Sequence, residues 1–313
     1  MTLTPSPVVI AVVGPTATGK SELALDLAEA VGGEVVNADA SQLYRGMDIG
    51  TAKLPADARR GILHHQLDVL DVTEEASVAA YQQHARADLA AVVERGRHPI
   101  VVGGSGLYVR ALLDRLEIPP TDPGVRARLE DEAVRLGTPA LYARLRGQDT
   151  DAAEAIEPNN TRRVVRALEV IELTGRRFSA TMPTREYVRP TVAIGLEVPR
   201  EVLDQRIAAR VTRMWQDGLL DEVRSLEAMG LRRGRTASRA LGYAQALAQL
   251  DGTMTREQAQ EQTAALTRRF ARRQESWFRP DPRITWLDKR GDGAAMRALA
   301  LVRAAIGENE RHV

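Results

Sequence analysis

From Pro7 to Gly14 the chain is apolar and β-branched (PVVIAVVG), which predicts a strand buried on both faces. Polar residues then return at helical spacing. The stretch SELALDLAEAVGG, from Ser21, closes on glycine and reads as a helix. Glu34–Asp39 (EVVNAD) predicts a second strand ending at Asp39. Ser77–Gly96 predicts an amphipathic helix opened by Ser77 and stopped by Gly96, and His98–Gly104 (HPIVVGG) a third buried strand. Strands and helices alternating in this way imply a parallel sheet with right-handed crossovers. From Asp114 to Pro190 only helical patterns remain, in DPGVRARLEDEAVRLG, TPALYARLRG and NNTRRVVRALEVIELTG. Thr191–Val198 (TVAIGLEV) is again strand-like. Long helices follow, and Arg283–Asp288 (RITWLD) predicts a last strand. A helical insertion, residues 115–190, therefore interrupts a sheet domain formed by residues 1–114 and 191–313.

Charge adds an asymmetry to this division. The 313 residues carry a net charge of +1, but residues 1–114 hold 9 Lys/Arg against 14 Asp/Glu, and the remainder 34 against 28. Beyond Lys53 the cations are nearly all arginine, the side chain better suited to phosphate and base recognition. A solvated helix surface could also be Arg-rich, so composition leaves both readings open. There is no cysteine, which excludes disulfides, thiolate zinc sites and thiol nucleophiles. No apolar run approaches the ~20 residues of a membrane span, and no basic segment precedes the first apolar stretch as in a signal peptide. A cytoplasmic protein that contacts no membrane is expected.

The clearest chemical signal is VVGPTATGKS, Val12–Ser21. Gly14, Gly19, Lys20 and Ser21 satisfy G-x-x-x-x-G-K-[ST] between a predicted strand and a predicted helix, the setting this phosphate loop requires. It makes the sheet P-loop NTPase-like. The residues Gly14, Pro15, Thr16, Ala17, Thr18, Gly19, Lys20 and Ser21 would surround the phosphates, all but Pro15 with backbone N–H groups, at a helix N-terminus. Lys20 neutralises phosphate oxygens, and Ser21 is the candidate ligand for Mg²⁺. A nucleotide kinase would also need a Walker-B aspartate at the end of the neighbouring strand. The candidate strand ends instead in GGSG, and no N-K-x-D motif is present. The loop binds phosphates without specifying a nucleotide.

Asp39 should stand at the carboxyl edge of the sheet near that loop, where a carboxylate can accept a proton from a bound substrate. The alternative is an N-cap for the next segment. The surrounding blocks carry more. GPTATGKS, DASQLYRGMDIGTAK, HHQLDV, GGSGLYVRALL, RALGYAQAL and RRQESWFR occur in order across nearly the whole chain, and they resemble the tRNA dimethylallyltransferase, or tRNA isopentenyltransferase, family. Two departures are Leu63, where members often carry proline, and Asp39-Ala40-Ser41, where Asp-Ser is common.

The resemblance implies transfer of a dimethylallyl group from dimethylallyl diphosphate to N6 of the adenine 3′-adjacent to the anticodon in tRNA. It implies Asp39 as base, Lys20 and Arg210 as diphosphate contacts, Thr16 as a further one, and Mg²⁺. The absent Walker-B residue is then understandable, because no γ-phosphoryl moves. It also implies tRNA contacts at Asp39, Ala40, Ser41, Gln42, Ser105, Arg126, Arg162, Arg163, Val164, Val165, Arg166, Arg239, Gly242, Tyr243, Arg272, Arg273, Gln274, Trp277 and Arg279.

Read without the resemblance, Arg210 is a solvated helix arginine and Ser105 caps the helix starting near Leu107. Phe270 and Trp277, seven residues apart, face the core. Arg268 to Arg273 form a basic stripe too lopsided for ordinary surface. The target adenine must be flipped out of an anticodon loop, and the protein must grip that loop by stacking and phosphate contacts. A monomer is expected. The competing functions are prenylation of a free adenine nucleotide, a P-loop small-molecule kinase, and a non-catalytic nucleotide-dependent RNA-binding protein.

Overall fold

The computed structural model describes residues 7–181, 185–289 and 293–311. The chain divides into two compact units, one of Met1–Leu113 with Tyr187–Val313, the other of Asp114–Glu186.

The first unit is built on a sheet of six strands: β1 (Val9–Val13), β2 (Gly33–Asn37), β3 (His64–His65), β4 (His98–Gly103), β5 (Thr191–Glu197) and β6 (Ile284–Asp288). Their order is β3-β2-β4-β1-β5-β6, and every pairing is parallel. β1 is central, with Ala11 opposite Val101 on one side and Ala193 on the other. Its residues are buried on both faces because helices cover both. Ile10 and Val12 point to α1 (Lys20–Val31) and α12 (Gly293–Arg311), with Leu23, Leu27, Ala298 and Val302. Val9, Ala11 and Val13 point to α2 (Val78–Glu94) and α3 (Gly106–Leu113), where Tyr81, Leu89, Tyr108 and Leu112 pack. Ser77 caps α2 as its sequence predicts, its side chain accepting from Ala80 N–H.

A second core in this unit is helical. α8 (Arg200–Gln216), α9 (Leu219–Ala228), α10 (Tyr243–Leu250) and α11 (Arg256–Phe278) enclose Trp215, Leu219, Val223 and Tyr243 together with Tyr44 and Met47.

The other unit holds α4 (Pro123–Leu136), α5 (Thr138–Gln148), α6 (Thr150–Ala155) and α7 (Thr161–Thr174) around its own core of Leu129, Leu141, Leu145, Val164 and Leu168. Asp122, Asp149 and Asn160 cap α4, α6 and α7 with their side chains.

Three expectations need correction. β2 stops at Asn37, so Asp39 lies beyond the strand and caps a 3-10 turn, Ala40–Leu43. Trp277 is 41% exposed, and Phe278, one residue on, takes the core position. The Ser105 hydroxyl does not cap the following helix: it accepts from Ala40 N–H at 3.2 Å.

Candidate active site

The phosphate loop leaves β1 at Gly14, whose φ of 128° is open to glycine. A Cβ there would stand 2.6 Å from the Leu196 carbonyl oxygen on β5, so this position is closed to side chains twice over. Thr18 is fully buried and its hydroxyl donates to Pro15 O at 2.8 Å, holding the loop in a ring. Lys20 Nζ also donates to Pro15 O, at 2.6 Å. Burial pushes its pKa down to about 8, against the opposing pull of the Asp39 carboxylate, while the charge of Arg210 lowers it further.

Ala17 has φ 64°, a left-handed conformation that costs a non-glycine residue about 1 kcal/mol. It is held there by Leu203 and Ile207 of α8 and Ala271 of α11, against which it packs. This loop is therefore wedged between two helices contributed from far along the chain. Arg210 of α8 donates to Thr16 Oγ1 at 3.2 Å. Half-buried and bonded to the loop, it is not the solvated surface arginine that sequence alone suggests, and that burial pushes its pKa down. Arg206 adds a weak donation to Ala17 O at 3.5 Å, and Lys289 lies over Gly19, paired at 3.5 Å with Glu22. Neither Arg206 nor Lys289 is distinguishable in the sequence from ordinary surface cations.

Asp39 stands beyond β2 with its backbone fixed by Asn37. The Asn37 side chain accepts from Asp39 N–H at 3.1 Å and donates to Asp39 O at 3.0 Å. Asp39 Oδ1 accepts from Ser41 N–H at 3.0 Å and from the Ser41 hydroxyl at 2.6 Å. That leaves Oδ2 available to a substrate. The capping bonds of this carboxylate thus use one oxygen and leave the other unengaged.

GGSG has a packing role. A Cβ on Gly103 would lie 2.2 Å from Ala38 O, one on Gly104 2.1 Å from Gln274 Nε2, and one on Gly106 2.0 Å from the Trp277 ring. The loop after β4 is glycine-rich because the Asp39 segment and α11 both press on it.

The block YRGMDIGTAK closes largely on itself. Lys53 is buried and donates to Tyr44 O at 2.8 Å, Asp48 Oδ1 at 2.7 Å and Asp68 Oδ1 at 2.5 Å. Glu222 of α9 accepts from the N–H groups of Asp48, Ile49 and Gly50 and from the Tyr243 hydroxyl, the last at 2.6 Å. Gln42 donates to Thr51 O at 3.1 Å. Most of this block's sequence signature is architecture that presents Asp39 and Gln42 at the sheet edge.

Among the described residues no cluster of His, Cys, Asp and Glu could hold a metal by itself. Ser21 offers an exposed hydroxyl at the start of α1. One hydroxyl suits Mg²⁺ carried in mainly by phosphate oxygens and water.

Residues 42–281 match the IPP transferase family. This chain belongs to that family. It is 59% identical over 309 residues to the tRNA dimethylallyltransferase of Streptomyces coelicolor, spanning 99% of this chain and 98% of that protein. With the tRNA dimethylallyltransferase of Kineococcus radiotolerans it shares 62% identity over 289 residues, 90% of this chain and 91% of the relative. The crystal structure of the Bacillus halodurans tRNA isopentenylpyrophosphate transferase is similar with a TM-score of 0.73 and 39% identity, over 97% of this chain and 98% of that one. A eukaryotic dimethylallyltransferase described as acting on tRNA aligns with a TM-score of 0.83 at 28% identity, over 97% of this chain and 80% of its own.

In this member of the IPP transferase family the arginines expected to meet nucleic acid fall into distinct groups. Arg162, Arg163, Arg239, Arg272 and Arg273 are exposed. Arg126 and Arg166 are engaged within the smaller unit by buried Glu169, at 2.6 and 2.8 Å, and Arg166 also donates to Pro119 O and Pro120 O. Burial pushes the Glu169 carboxyl up, but the two arginines hold it below the usual carboxylate range. Arg279 pairs with Glu197 and lies 4.4 Å from the centre of the Trp286 ring. Val164 and Val165 are core residues, as is Tyr243, so side-chain contacts to a partner are closed to them. Gly242, with φ 87°, is the N-cap residue just before α10. Gln274 is buried as well.

Proposed function

We propose that this chain transfers a dimethylallyl group from dimethylallyl diphosphate to N6 of the adenine 3′-adjacent to the anticodon in tRNA. The observation that carries this reading is a carboxylate with one free oxygen, Asp39 Oδ2, beside a phosphate loop lined by Lys20 and Arg210. There is no kinase-type aspartate at the end of β4. It stands in a family whose relatives are tRNA dimethylallyltransferases.

In this mechanism the allylic C–O bond breaks and negative charge accumulates on the departing diphosphate. Lys20, Arg210 and the loop N–H groups are the donors assigned to that charge, and their stabilisation of it would lower the barrier. The exocyclic amine forms a bond to the allylic carbon in place of the C–O bond, whose electrons leave with the diphosphate. It is a weak nucleophile because its lone pair is delocalised into the ring, and it must lose a proton on alkylation. Asp39 Oδ2 takes that proton. Ser21 would hold Mg²⁺, which supplies further charge neutralisation to the diphosphate.

The acceptor reading is supported by the exposed arginines of α7 and α11, which suit the phosphates of a single-stranded loop better than they suit a free nucleotide.

Labelled dimethylallyl diphosphate offered with bulk tRNA or with AMP tests the assignment, together with ATP as a phosphoryl donor. Label is expected in tRNA. Label in AMP alone, or phosphoryl transfer from ATP, would replace this reading with a free-nucleotide prenyltransferase or a kinase. Asp39→Ala should lose ~10²–10⁴-fold in single-turnover transfer while donor binding stays nearly intact.

A further inference from the structure

The carboxamide of Gln274 joins the two halves of the site. It is 4% exposed, buried on α11 although its neighbours Arg272 and Arg273 are exposed. Its Oε1 accepts from Thr16 N–H of the phosphate loop at 2.8 Å, and its Nε2 donates to Gly104 O of the loop after β4 at 3.0 Å. The connections continue on both sides. Thr16 Oγ1 accepts from Arg210, and Ser105, next to Gly104, accepts from Ala40 N–H beside Asp39. An unbroken path thus runs from the diphosphate-facing Arg210 through Thr16, Gln274, Gly104 and Ser105 to the Asp39 turn.

The fit at the middle of this path is close. A single carbon added at Gly104 would come within 2.1 Å of Gln274 Nε2. A shorter amide could not span both partners, and a charged side chain would bury an uncompensated charge. Thr16 N–H is satisfied by Gln274 and is withdrawn from the phosphate-binding set, so the role of this residue is to set where the loop stands.

We propose that Gln274 is a positioning residue for prenyl transfer: it fixes the spacing between the donor loop and the Asp39 turn, and thereby the approach of the amine to the breaking C–O bond. This proposal rests on the prenyltransfer reading given above. It differs from a role in tRNA contact, which its buried amide does not fit. Misplacing reacting groups by about 1 Å costs on the order of 10²-fold in rate.

The test uses the full chain with dimethylallyl diphosphate and tRNA under single-turnover conditions, and compares wild type with Gln274→Met and Gln274→Glu. Gln274→Met keeps the shape and loses both hydrogen bonds. Its transfer rate at saturating substrates is expected to fall about 10- to 100-fold with tRNA affinity within about twofold of wild type. Gln274→Glu can still accept from Thr16 N–H, but it can donate to Gly104 O only when protonated. Its rate relative to wild type should therefore rise as pH falls from about 8 to about 6, since burial raises a carboxyl pKa.

A Gln274→Met protein that transfers at the wild-type rate would overturn the proposal. So would a loss confined to tRNA affinity, or a Gln274→Glu ratio flat in pH. If the wild-type chain itself moves no dimethylallyl group to tRNA, the functional reading fails instead, and the two failures are separate.

Discussion

Lys20 and Asp39 show what a single residue does here that its letter does not say. With its pKa down to about 8, Lys20 sheds its proton as pH rises through that value, well below the 10.5 of a free lysine. Affinity for inorganic diphosphate should hold below about pH 8 and fall above it. A Lys20→Arg chain, whose charge does not titrate in that range, should lose less over the same interval. Calorimetric titrations of both chains at several pH values isolate the lysine from the titration of diphosphate itself. The motif around Lys20 was readable from spacing alone. The choice of oxygen at Asp39 was not, because capping and catalysis both call for a carboxylate at that position and only the Ser41 hydrogen bonds separate them. Gln274 was still less legible. An amide within RRFARRQESWFR reads as surface, and its partners Thr16 and Gly104 lie more than half the chain away.

The elements themselves were legible where period and punctuation agreed, as in β1, α1, α2, β4 and β5. The two-residue β3 has no period to read, and α6 is a single short stretch held by its Asp149 cap. The expectations stop at Asp288, although Ala294, Ala298 and Val302 at helical spacing carry the signal of α12. The glycines could not be ranked from sequence, because their neighbours come from distant parts of the chain. Gly103→Ala meets rigid backbone at Ala38 and should destabilise the protein by roughly 3 kcal/mol, seen as a lower denaturant midpoint with an unchanged slope. Gly147→Ala, in α5 with open space around it, should stabilise the smaller unit by about 0.5–1 kcal/mol. Equal effects from the two would contradict this ranking. Glu222→Ala strips the acceptor from three backbone N–H groups and the Tyr243 hydroxyl, and should cost at least ~2 kcal/mol by the same measurement.

Across the whole molecule the charge asymmetry seen in the sequence resolves into arginines that are spent and arginines that are free to act. Arg126, Arg166 and Arg279 are committed to carboxylates, whereas Arg162 and Arg163 are exposed. Affinity for tRNA should fall with salt. Replacing Arg162 and Arg163 by Gln should make the slope of log affinity against log salt shallower by about 0.7 for each phosphate that no longer meets a guanidinium. An unchanged slope would place the phosphates elsewhere. One consequence of the strand order concerns synthesis. β1 is made early, yet its neighbour β5 begins at Thr191, after the whole of Asp114–Glu186. At ~5–20 residues per second, β1 spends on the order of ten seconds or more with that edge unpaired, and its five residues are all apolar. The insertion lengthens this interval while folding on local contacts of its own. A nascent chain arrested before Thr191 should therefore expose a sticky, half-built sheet beside a finished helical unit, and chaperone capture in the cell should fall on the former.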